Sequence, residues 1–563
     1  MRTTFCPECK KNTRTISDFG GKDSWLYVCS ECDTELNHNF KLCLLAAGKG
    51  TRNNDIKGLH KALLPLENKP VISHIIENFD KNIEIVIAVG YKSEQIKSYL
   101  DKVHSDRKIT YVNIENYEGP GSGPGYSLLM CEKELQCSFI FTSIDTILAD
   151  TQEKDIFNFI GENWIGVADV DLQESLNYCL VKGKNYLEEL YFGKGTIAFT
   201  GAAGISDYKE FFHSLKKKKR KESQYDDLHE YQVTQGFNNL KTVKLVNFTW
   251  YDTGNSRSYS KTKKIYSNDI VANKNDEAIF IDNNKVVKYF DSSDKVKTRV
   301  ERTKYLNNNI PNIVQLNNNM YSYDYIKGEL LSNIYDDEVL KEILSFWKKN
   351  FFEKRFDKSD QFVNNCKNIY KEKTYNRIKL FQNTPLDKIE YINGIKVKGI
   401  KELLDSIDWN SIYTNAIPTR FHGDFQPENI IYDGEDFKLI DWRESFGDSL
   451  DVGDLYYDLG KLYHALIING QIVLKKGYNY SVEGNKAWID YNTKSNLILL
   501  LNYFKDFCED NDLNWDNVEL LGILQYIGIC TLYKDFHEGK YGEFLFLLGK
   551  YLLTKKLNND RIS

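Results

Sequence analysis

Residues 42–52 read LCLLAAGKGTR: four apolar residues, two alanines, and a glycine-rich turn that ends in an arginine. A short apolar run bounded by glycine is typical of a buried parallel strand. Gly48 and Gly50 permit positive φ and leave backbone amides uncovered, while Arg52 adds a planar cation suited to phosphate oxygens. Tight turns after a strand also need glycine for steric reasons alone. The stretch by itself therefore leaves phosphate binding and a plain turn equally open.

Three further segments follow in chain order. Residues 61–76 read KALLPLENKPVISHII and begin with Lys61. FIFTSIDT at 139–146 places Asp145 after a hydrophobic strand, and WYDTGNSRSY at 250–259 contains Asp252. An isolated aspartate at a strand end is usually a cap or a turn former, so each of these signals is weak when taken alone.

Taken together and in this order, the four segments resemble the motifs of the sugar-phosphate nucleotidyltransferase superfamily, which includes CTP:phosphocholine cytidylyltransferases. The resemblance spans about residues 42–260 and implies a Rossmann-like mixed-sheet domain. It implies catalytic roles for Arg52 and Lys61 and a Mg²⁺ site at Asp145 and Asp252. It also implies nucleotide contacts from the turn, namely Ala46, Ala47, Gly48, Lys49 and Gly50.

The chemistry of this family explains these residue types. A phosphomonoester attacks the α-phosphorus of a nucleoside triphosphate and pyrophosphate leaves, so both reactants are anionic. Cations and amide dipoles around the phosphates lower the barrier, and Mg²⁺ prefers carboxylate oxygens. No general base is needed, because the attacking phosphate is already ionised at neutral pH.

Two more segments resemble parts of the same family. YEGPGSGPGYSLL at 117–129 stands where the family reads the nucleobase, and the predicted contacts are Gly119, Gly121, Gly123 and Gly125. A rigid turn is the alternative. The segment does not choose among CTP, UTP, GTP and TTP. YFGKGTIAFTGAAGI at 191–205 resembles the acceptor strand, where Lys194 would meet the acceptor phosphate.

Two C-x-x-C pairs precede this region. CPEC holds Cys6 and Cys9, CSEC holds Cys29 and Cys32, and 19 residues separate the pairs. Four thiolates complete a tetrahedral Zn²⁺ site with no open position, so the spacing predicts a structural zinc ribbon. A redox pair is the alternative. His38 lies just beyond and is interpreted as a surface residue.

Composition limits the class of protein. The chain has 563 residues, 41% of them hydrophobic, and a net charge of −6, which fits several domains and argues against general nucleic-acid affinity. Apolar runs such as FLFLLGKYLL are too short to span a bilayer, and MRTTFCPECK contains no signal-peptide core. Eleven cysteines without such a signal favour a reducing compartment, and we expect a cytoplasmic protein without a membrane partner.

The C-terminal half contains a second group of metal-binding residue types. RFHGDFQPENIIYDGEDFKLIDW at 420–442 has two short apolar strands joined by the turn YDGED. Asp424, Asn429 and Asp441 should converge at one end of this hairpin. Two carboxylates and an amide oxygen suit Mg²⁺ and a reacting hydroxyl.

This stretch resembles the catalytic loop of the aminoglycoside phosphotransferase and choline kinase family, distant relatives of protein kinases. The resemblance covers about residues 278–560 and implies a bilobal α+β fold that binds ATP. It makes Asp424 the catalytic base and Asn429 and Asp441 ligands of Mg²⁺. His422 would buttress the loop, and Asp458, in GDLYYDLGKL, would support it structurally.

The N-terminal lobe of this family is expected between the linker and the loop. AIFIDNNKVVKYF at 278–290 reads as a hairpin in which Lys288 resembles the ATP-phosphate lysine. Glu301, in a helical stretch, would be its ion-pair partner. MYSYDYIKGELL at 320–331 resembles the hinge, with adenine contacts from Tyr323, Tyr325 and Ile326.

The acceptor of this second site is open. Choline kinases commonly place an acid after the IDW triplet, where this chain reads IDWRESF with Arg443. That puts recognition of a quaternary ammonium in doubt, although Trp442, Tyr456 and Tyr457 would provide cation–π walls. An arginine fits a polyol or an anionic group at least as well. We take Trp442 and Arg443 as the predicted acceptor residues.

The sequence therefore predicts an α/β multidomain chain: a zinc ribbon at 1–40, a nucleotidyltransferase domain at 41–262, a linker at 263–277 and a kinase-like domain at 278–563. The predicted function is bifunctional and uses Mg²⁺ in both sites. ATP phosphorylates a small alcohol or sugar, and CTP then activates the phosphate as a precursor for cell-surface glycoconjugates. A sugar-1-phosphate enzyme using UTP, GTP or TTP is the alternative.

A hypothesis of another class is an RNA-associated enzyme that uses the ribbon and the run LKKKKRKES at 215–223. A solvated helix end is the favoured interpretation of that run, because it is short and lacks interleaved aromatic residues. The oligomeric state is left open.

Overall fold

The computed structural model describes residues 40–50, 55–149, 161–217, 231–266 and 275–558, and the backbone of strands at 3–6, 11–20 and 24–29. Two compact units make up the chain. The first comprises residues 1–268 and 274–291, and the second comprises residues 269–273 and 292–563.

The N-terminal region forms a three-stranded antiparallel sheet of β1 (Thr3–Cys6), β2 (Lys11–Gly20) and β3 (Ser24–Cys29). Cys6 ends β1 and Cys29 ends β3. Cys9, Cys32 and His38 lie outside the described residues. The zinc ribbon therefore stays a prediction.

The remainder of the first unit is an α/β domain. Its strands are β4 (Phe40–Ala46), β5 (Pro65–Leu66), β6 (Lys69–Pro70), β7 (Glu84–Val89), β8 (Ile109–Asn113), β9 (Ser138–Ser143), β10 (Thr146–Leu148), β11 (Trp164–Asp169), β12 (Leu180–Lys182), β13 (Glu189–Tyr191), β14 (Ile197–Ile205), β15 (Lys244–Asn247), β16 (Trp250–Asp252), β17 (Glu277–Asp282) and β18 (Lys285–Phe290). Its helices are α1 (Val71–Glu77), α2 (Ser93–Val103), α3 (Pro124–Met130), α4 (Tyr208–Lys216) and α5 (Ser256–Tyr266).

Strand β4 lies at the centre of a nine-stranded sheet, ordered β13-β12-β14-β9-β4-β7-β8, with β11 on β14 and β15 on β11. It is parallel to both β7 and β9, and Leu42, Cys43 and Leu44 are completely buried. Apolar side chains on both faces are what such a position requires. The strands that follow β4 add to the sheet on both sides of it, so the carboxyl end of β4 is a topological switch point. Sheets of α/β proteins bind ligands at such points.

The hairpin β17–β18 packs within the first unit, although the sequence assigned it to the kinase-like domain. Tyr99 donates a hydrogen bond to Asp282 (3.1 Å), whose side chain also lies 3.5 Å from His104 Nε2. Ile281 N–H donates to Asn68 O (2.7 Å). These buried polar contacts fix the hairpin to α2, so the predicted boundary at 278 does not coincide with the division between the units.

The second unit is mainly helical. Its helices are α6 (Ser293–Leu306), α7 (Asp337–Trp347), α8 (Asp360–Cys366), α9 (Lys373–Ile378), α10 (Ile400–Asp405), α11 (Trp409–Asn415), α12 (Leu455–Ile467), α13 (Gly470–Leu474), α14 (Ser495–Asp510), α15 (Trp515–Ile529) and α16 (Lys540–Leu557). Its strands are β19 (Val314–Asn317), β20 (Met320–Asp324), β21 (Glu329–Leu330), β22 (Tyr391–Ile392), β23 (Ile395–Lys396), β24 (Pro418–Thr419), β25 (Ile430–Tyr432), β26 (Phe437–Leu439), β27 (Gly453–Asp454), β28 (Tyr478–Glu483) and β29 (Lys486–Tyr491).

A central helix, α12, organises this unit. Every residue of α12 is buried except Lys461. The hairpin β25–β26 pairs with β21, and a mixed sheet has the order β23-β22-β29-β28. Among the described residues, no helix combines the length and apolar character needed to cross a membrane. The basic run at 215–223 is described only as far as Lys217, at the end of α4.

Candidate active sites

A cavity of about 550 Å³ opens at the carboxyl end of β4. It brings together residues that lie far apart in the sequence: Ala47, Gly48, Lys49, Gly50, Lys61, Asp145 and Asp252 all line it. Ala46 is buried within β4 and does not line the cavity. Arg52 lies outside the described residues, so its predicted role stays a prediction.

Lys61 connects the glycine turn to the first aspartate. Its ammonium donates to Asp145 Oδ2 at 2.9 Å, and the two side chains are 17% and 18% exposed. Gly50 has φ +62°, and a Cβ there would lie 2.6 Å from Lys61 Cδ. Glycine is therefore required at this turn, because the lysine side chain passes directly over it.

The two aspartates face one small space. Strand β10 pairs with β16 so that Thr146 lies opposite Asp252, and Thr253 N–H donates to Asp145 O (2.9 Å). A Cβ on Gly254 would lie 3.1 Å from an oxygen of each carboxylate. Burial and the charge of Asp145 together raise the pKa of Asp252. Two adjacent carboxylates with this mutual repulsion fit a divalent cation.

The glycine-rich loop before α3 serves more than one purpose. Gly119 and Gly123 line the cavity, whereas Gly121 and Gly125 do not. Gly125 is needed for steric reasons: its N–H donates to Tyr231 O (2.7 Å), and a Cβ would meet Gln232 O at 2.5 Å. Lys49 forms an ion pair with Glu118 of this loop. The pair joins the two loops that border the cavity.

The predicted acceptor residue lies outside the cavity. Lys194 is exposed and does not line the cavity. Tyr178, Phe192 and Trp250 line it instead, and Tyr178 donates to Asp252 Oδ2 at 3.0 Å. Sequence reasoning missed Tyr178, because no local pattern links it to Asp252.

The second unit gathers its predicted residues at one end of β25–β26. Ile430 pairs with Leu439, which places Asn429 beside the Ile440–Asp441 peptide. The amide of Asn429 donates to Asp424 O (2.9 Å) and to Asp424 Oδ2 (3.0 Å). Asp441 has φ +59°, which is unfavourable for a residue with a Cβ. Residues with such strained backbone angles are found more often at functional sites than elsewhere.

Asp424 forms an ion pair with Lys461 of α12, with Nζ 3.0 Å from Oδ1. Burial opposes ionisation of Asp424, but the Lys461 ammonium outweighs it and lowers the pKa to about 2. The carboxylate is therefore ionised at neutral pH. It is suited to orienting a hydroxyl group and to accepting its proton late in the transfer.

Buried hydrogen bonds fix the backbone of the loop that carries Asp424. Asp458 accepts from His422 N–H and Gly423 N–H, both at 2.6 Å. Arg302 of α6 donates to Phe421 O (2.6 Å), Leu450 O (2.8 Å) and the Arg443 carbonyl. The imidazole of His422 is fully buried, and burial lowers its pKa to about 4, so it stays neutral. Sequence reasoning missed Arg302 because its partners lie more than 100 residues away.

The structure corrects the interpretation of Trp442. Its side chain is 1% exposed, its indole N–H donates to Arg299 O (3.0 Å), and its ring stacks on Tyr321. Tyr456 is also buried, and its hydroxyl accepts from Asn514 N–H (3.0 Å). Because these rings pack in the core, they do not form a cation–π wall for an acceptor.

Glu301 also differs from its predicted role. It is 43% exposed and forms an ion pair with Lys304, three residues along α6 (3.6 Å). Arg299 of the same helix instead points to the site, with its guanidinium 3.6 Å from Asp441 and 3.0 Å from Glu444.

The remaining predicted ATP contacts lie on two segments. Lys288, in β18, is 2% exposed. Tyr323 is buried in β20, whereas Tyr325 and Ile326 follow it in the connection to β21. Because β21 pairs with β25, this connection leads directly to the hairpin β25–β26, and the adenine contacts stay a prediction.

Comparison with known protein families identifies two domains. Residues 42–152 match the MobA-like NTP transferase domain, and residues 401–486 match the phosphotransferase enzyme family. The matched ranges contain the glycine turn with Asp145 and the Asp424 loop, respectively. Both transferase domains predicted from the sequence are thereby confirmed.

Curated relatives resemble the first unit. The bifunctional protein GlmU of Methanococcus vannielii is 31% identical over 135 residues, which cover 23% of this chain and 30% of that protein. GlmU of Methanocaldococcus jannaschii is 26% identical over 219 residues, 38% of this chain and 50% of that protein. The chain thus spans between about a third and a half of the length of these relatives.

Among solved structures, CTP:phosphocholine cytidylyltransferase from Streptococcus pneumoniae is 22% identical, and the match covers 40% of this chain and 99% of that one with a TM-score of 0.34. The inositol-1-phosphate CTP transferase from T. maritima is 16% identical, with coverage of 41% and 98% and a TM-score of 0.32. From the two family matches, the chain combines a MobA-like NTP transferase domain with a domain of the phosphotransferase enzyme family.

Proposed function

We propose that the two domains catalyse consecutive steps. The phosphotransferase domain transfers the γ-phosphoryl group of ATP to the hydroxyl group of a small alcohol or sugar. The nucleotidyltransferase domain then joins the new phosphomonoester to a nucleotide and releases pyrophosphate. The observation that carries this proposal is that one chain contains both a phosphotransferase domain, which is suited to making a phosphomonoester, and an NTP transferase domain, which is suited to consuming it.

In the first step, the hydroxyl oxygen of the acceptor attacks the γ-phosphorus and the bond to the β–γ bridging oxygen breaks, so that ADP leaves. Asp424 orients the hydroxyl group and accepts its proton, which then passes to solvent. The low pKa of Asp424 fits this role, because the transition state is loose and proton transfer is late. Asn429 fixes the carboxylate through its amide hydrogen bonds.

In the second step, a phosphate oxygen of the phosphomonoester attacks the α-phosphorus of the triphosphate. The bond to the bridging oxygen breaks and pyrophosphate leaves. Lys61 supplies positive charge where negative charge accumulates, and the glycine turn, which lines the same cavity, offers backbone amides to the phosphates. The attacking group is already ionised, so the cavity needs no general base.

Both sites have donor sets that fit Mg²⁺. Asp145 and Asp252 would hold it in the first unit, and Asn429 and Asp441 in the second. When bound, the ion would neutralise phosphate charge and align the reacting groups.

CTP is the favoured nucleotide because of the sequence resemblance to phosphocholine cytidylyltransferases and choline kinases. UTP, GTP and TTP are the alternatives, which would suit a sugar-1-phosphate acceptor. A mass-spectrometric screen of alcohols and sugars with ATP and each triphosphate would identify the product. A diphosphate-linked nucleotide product supports the proposal, and its absence with every combination contradicts it.

Paired variants test whether the two sites work separately. Asp424→Asn should abolish ATP-dependent phosphorylation while pyrophosphate release from a supplied phosphomonoester continues. Asp145→Asn should do the reverse. If either variant stayed folded and lost both activities, the assignment of one step to each domain would be wrong.

A further inference from the structure

A group of cations lies beside the Asp424 loop. Lys373 and Arg377 are four residues apart in α9, so they share a face of the helix. Tyr370, three residues before Lys373, packs its ring 6.2 Å from that of Tyr457 in α12. The contact places the start of α9 beside Tyr457, and Arg377 reaches α15 through its bond to Gly528 O.

The facing residues of α12 lead to the catalytic loop. Tyr457 and Lys461 are also four residues apart, and Lys461 pairs with Asp424. The Arg443 guanidinium donates to the Tyr457 hydroxyl group. The Arg443 side chain also packs on the loop, because a Cβ on Gly423 would lie 2.5 Å from Arg443 Cβ.

Carboxylates do not balance these charges. Among the described groups whose charges most affect the pKa values of Lys373, Arg443 and Lys461, the carboxylates are Asp424 and Glu444. Glu444 is already bonded to Arg299 (3.0 Å). Arg377 donates to Gly528 O (2.8 Å) and Arg443 to Ser445 O (2.9 Å), and both of these acceptors are neutral. An uncompensated charge that is partly removed from water costs free energy, so the cations need another partner.

Lys373 shows the imbalance most directly. Its half-buried side chain makes no hydrogen bond or ion pair with any residue that the structure describes. Burial, followed by the charges of Arg443, Arg377 and Lys461, lowers its pKa to about 7, and Glu444 opposes the shift. A protein that keeps a lysine in such surroundings can recover the cost when an anion binds.

We propose that the acceptor of the phosphotransferase site carries an anionic group, a carboxylate or a phosphate, which Lys373, Arg377 and Arg443 bind while its hydroxyl group lies on Asp424. The inference rests on the proposed kinase activity and specifies its substrate class. A quaternary ammonium would be repelled by the same residues. The second unit then adds a phosphate to a molecule that is already an anion.

The same cations have a competing explanation, in which they bind the phosphates of ATP. Lys461 suits a role in binding the phosphates of ATP, since its ammonium pairs with the Asp424 carboxylate. The other three are arranged around Tyr457 and α9, and the two explanations differ in the substrate whose KM they control. An acceptor role raises the KM of the acceptor, and an ATP role raises the KM of ATP.

The first experiment compares matched alcohols by ADP release: glycerate and glycerol 3-phosphate against glycerol, gluconate against sorbitol, with choline and ethanolamine as cations. We expect an anionic member to have a kcat/KM at least about tenfold above its neutral partner. Preference for a neutral or cationic alcohol would overturn the inference and leave the kinase activity standing. If none of these alcohols led to ADP release, the proposed kinase activity itself would be overturned.

The second experiment uses Lys373→Gln with the preferred acceptor. We expect its KM to rise about tenfold to hundredfold, with the KM of ATP unchanged and recovery in Lys373→Arg. Lys379→Gln is the matched control, because Lys379 follows α9 and is exposed. A rise in the KM of ATP alone, or an equal effect of the control, would contradict an acceptor role.

Discussion

Replacing Lys61 by glutamine should remove most of the nucleotidyltransferase activity and spare the kinase. The Lys61 ammonium bonds to Asp145 Oδ2 at 2.9 Å, and both side chains are less than a fifth exposed. A preorganised donor in such a site is worth about 2.7–4 kcal/mol in the transition state. We therefore expect pyrophosphate release from a supplied phosphomonoester and triphosphate to fall by roughly 10²–10³-fold.

The matched control for this variant is Lys57→Gln. Lys57 lies four residues earlier, its side chain is 79% exposed, and it pairs with Asp291 away from the cavity. Exposed pairs contribute little, so its activity should stay close to wild type. A loss below about fivefold in Lys61→Gln would refute the role given to Lys61, since it would correspond to about 1 kcal/mol. An equal loss in Lys57→Gln, or a parallel loss of kinase activity, would also refute it.

Three further outcomes are expected. With a carboxylate acceptor, whose own charge is constant, the acceptor KM should rise as the pH increases through about 7, because Lys373 loses its proton there. The charges of the neighbouring groups stay constant over this range, namely those of Arg377, Arg443, Lys461 and Glu444. The same pH dependence of the acceptor KM in Lys373→Gln would contradict this. Asp282→Asn should lower the free energy of unfolding of the first unit by about 1–3 kcal/mol at neutral pH. Burial opposes ionisation of Asp282, but hydrogen bonds from His104 and Ser73 outweigh it and lower the pKa of Asp282. The contribution of the Asp282 carboxylate to the free energy of unfolding is therefore present above the unfolded pKa of about 4 and is lost on acidification. If the variant and the wild type lost stability equally on acidification, this reasoning would be refuted. Freshly reduced protein should contain one zinc ion per chain by elemental analysis, and Cys6→Ser should lose it; a metal-free wild type would exclude the ribbon.

Patterns that are local in the sequence predicted the fold and much of both sites. The apolar run of β4, the glycine turn after it and the HGDFQPEN loop each fix a short segment whose residue types follow from its conformation. Ordered motifs then brought Lys61, Asp145 and Asp252 to one predicted site, and the structure places them around one cavity.

The misassigned residues depend on packing between distant segments. Trp442 follows Asp441, a predicted ligand of Mg²⁺, so its position suggested a ligand wall, and its burial and stacking on Tyr321 show that it belongs to the core. Gly125 looked like a base contact, but the backbone of residues 231–232 requires its lack of a side chain. Lys373 and Arg377 had no local motif at all, since their relation to Asp424 passes through Tyr370 and Tyr457.

The most direct test of the central claim is the requirement for ATP in nucleotide transfer. With the preferred alcohol and triphosphate, wild-type protein should form the nucleotide-linked product only when ATP is present, and Asp424→Asn should form none. The phosphorylated alcohol should restore the product in Asp424→Asn and in the absence of ATP. Product formation from the unphosphorylated alcohol without ATP, or no rescue by the phosphorylated alcohol, would contradict two consecutive steps in one chain.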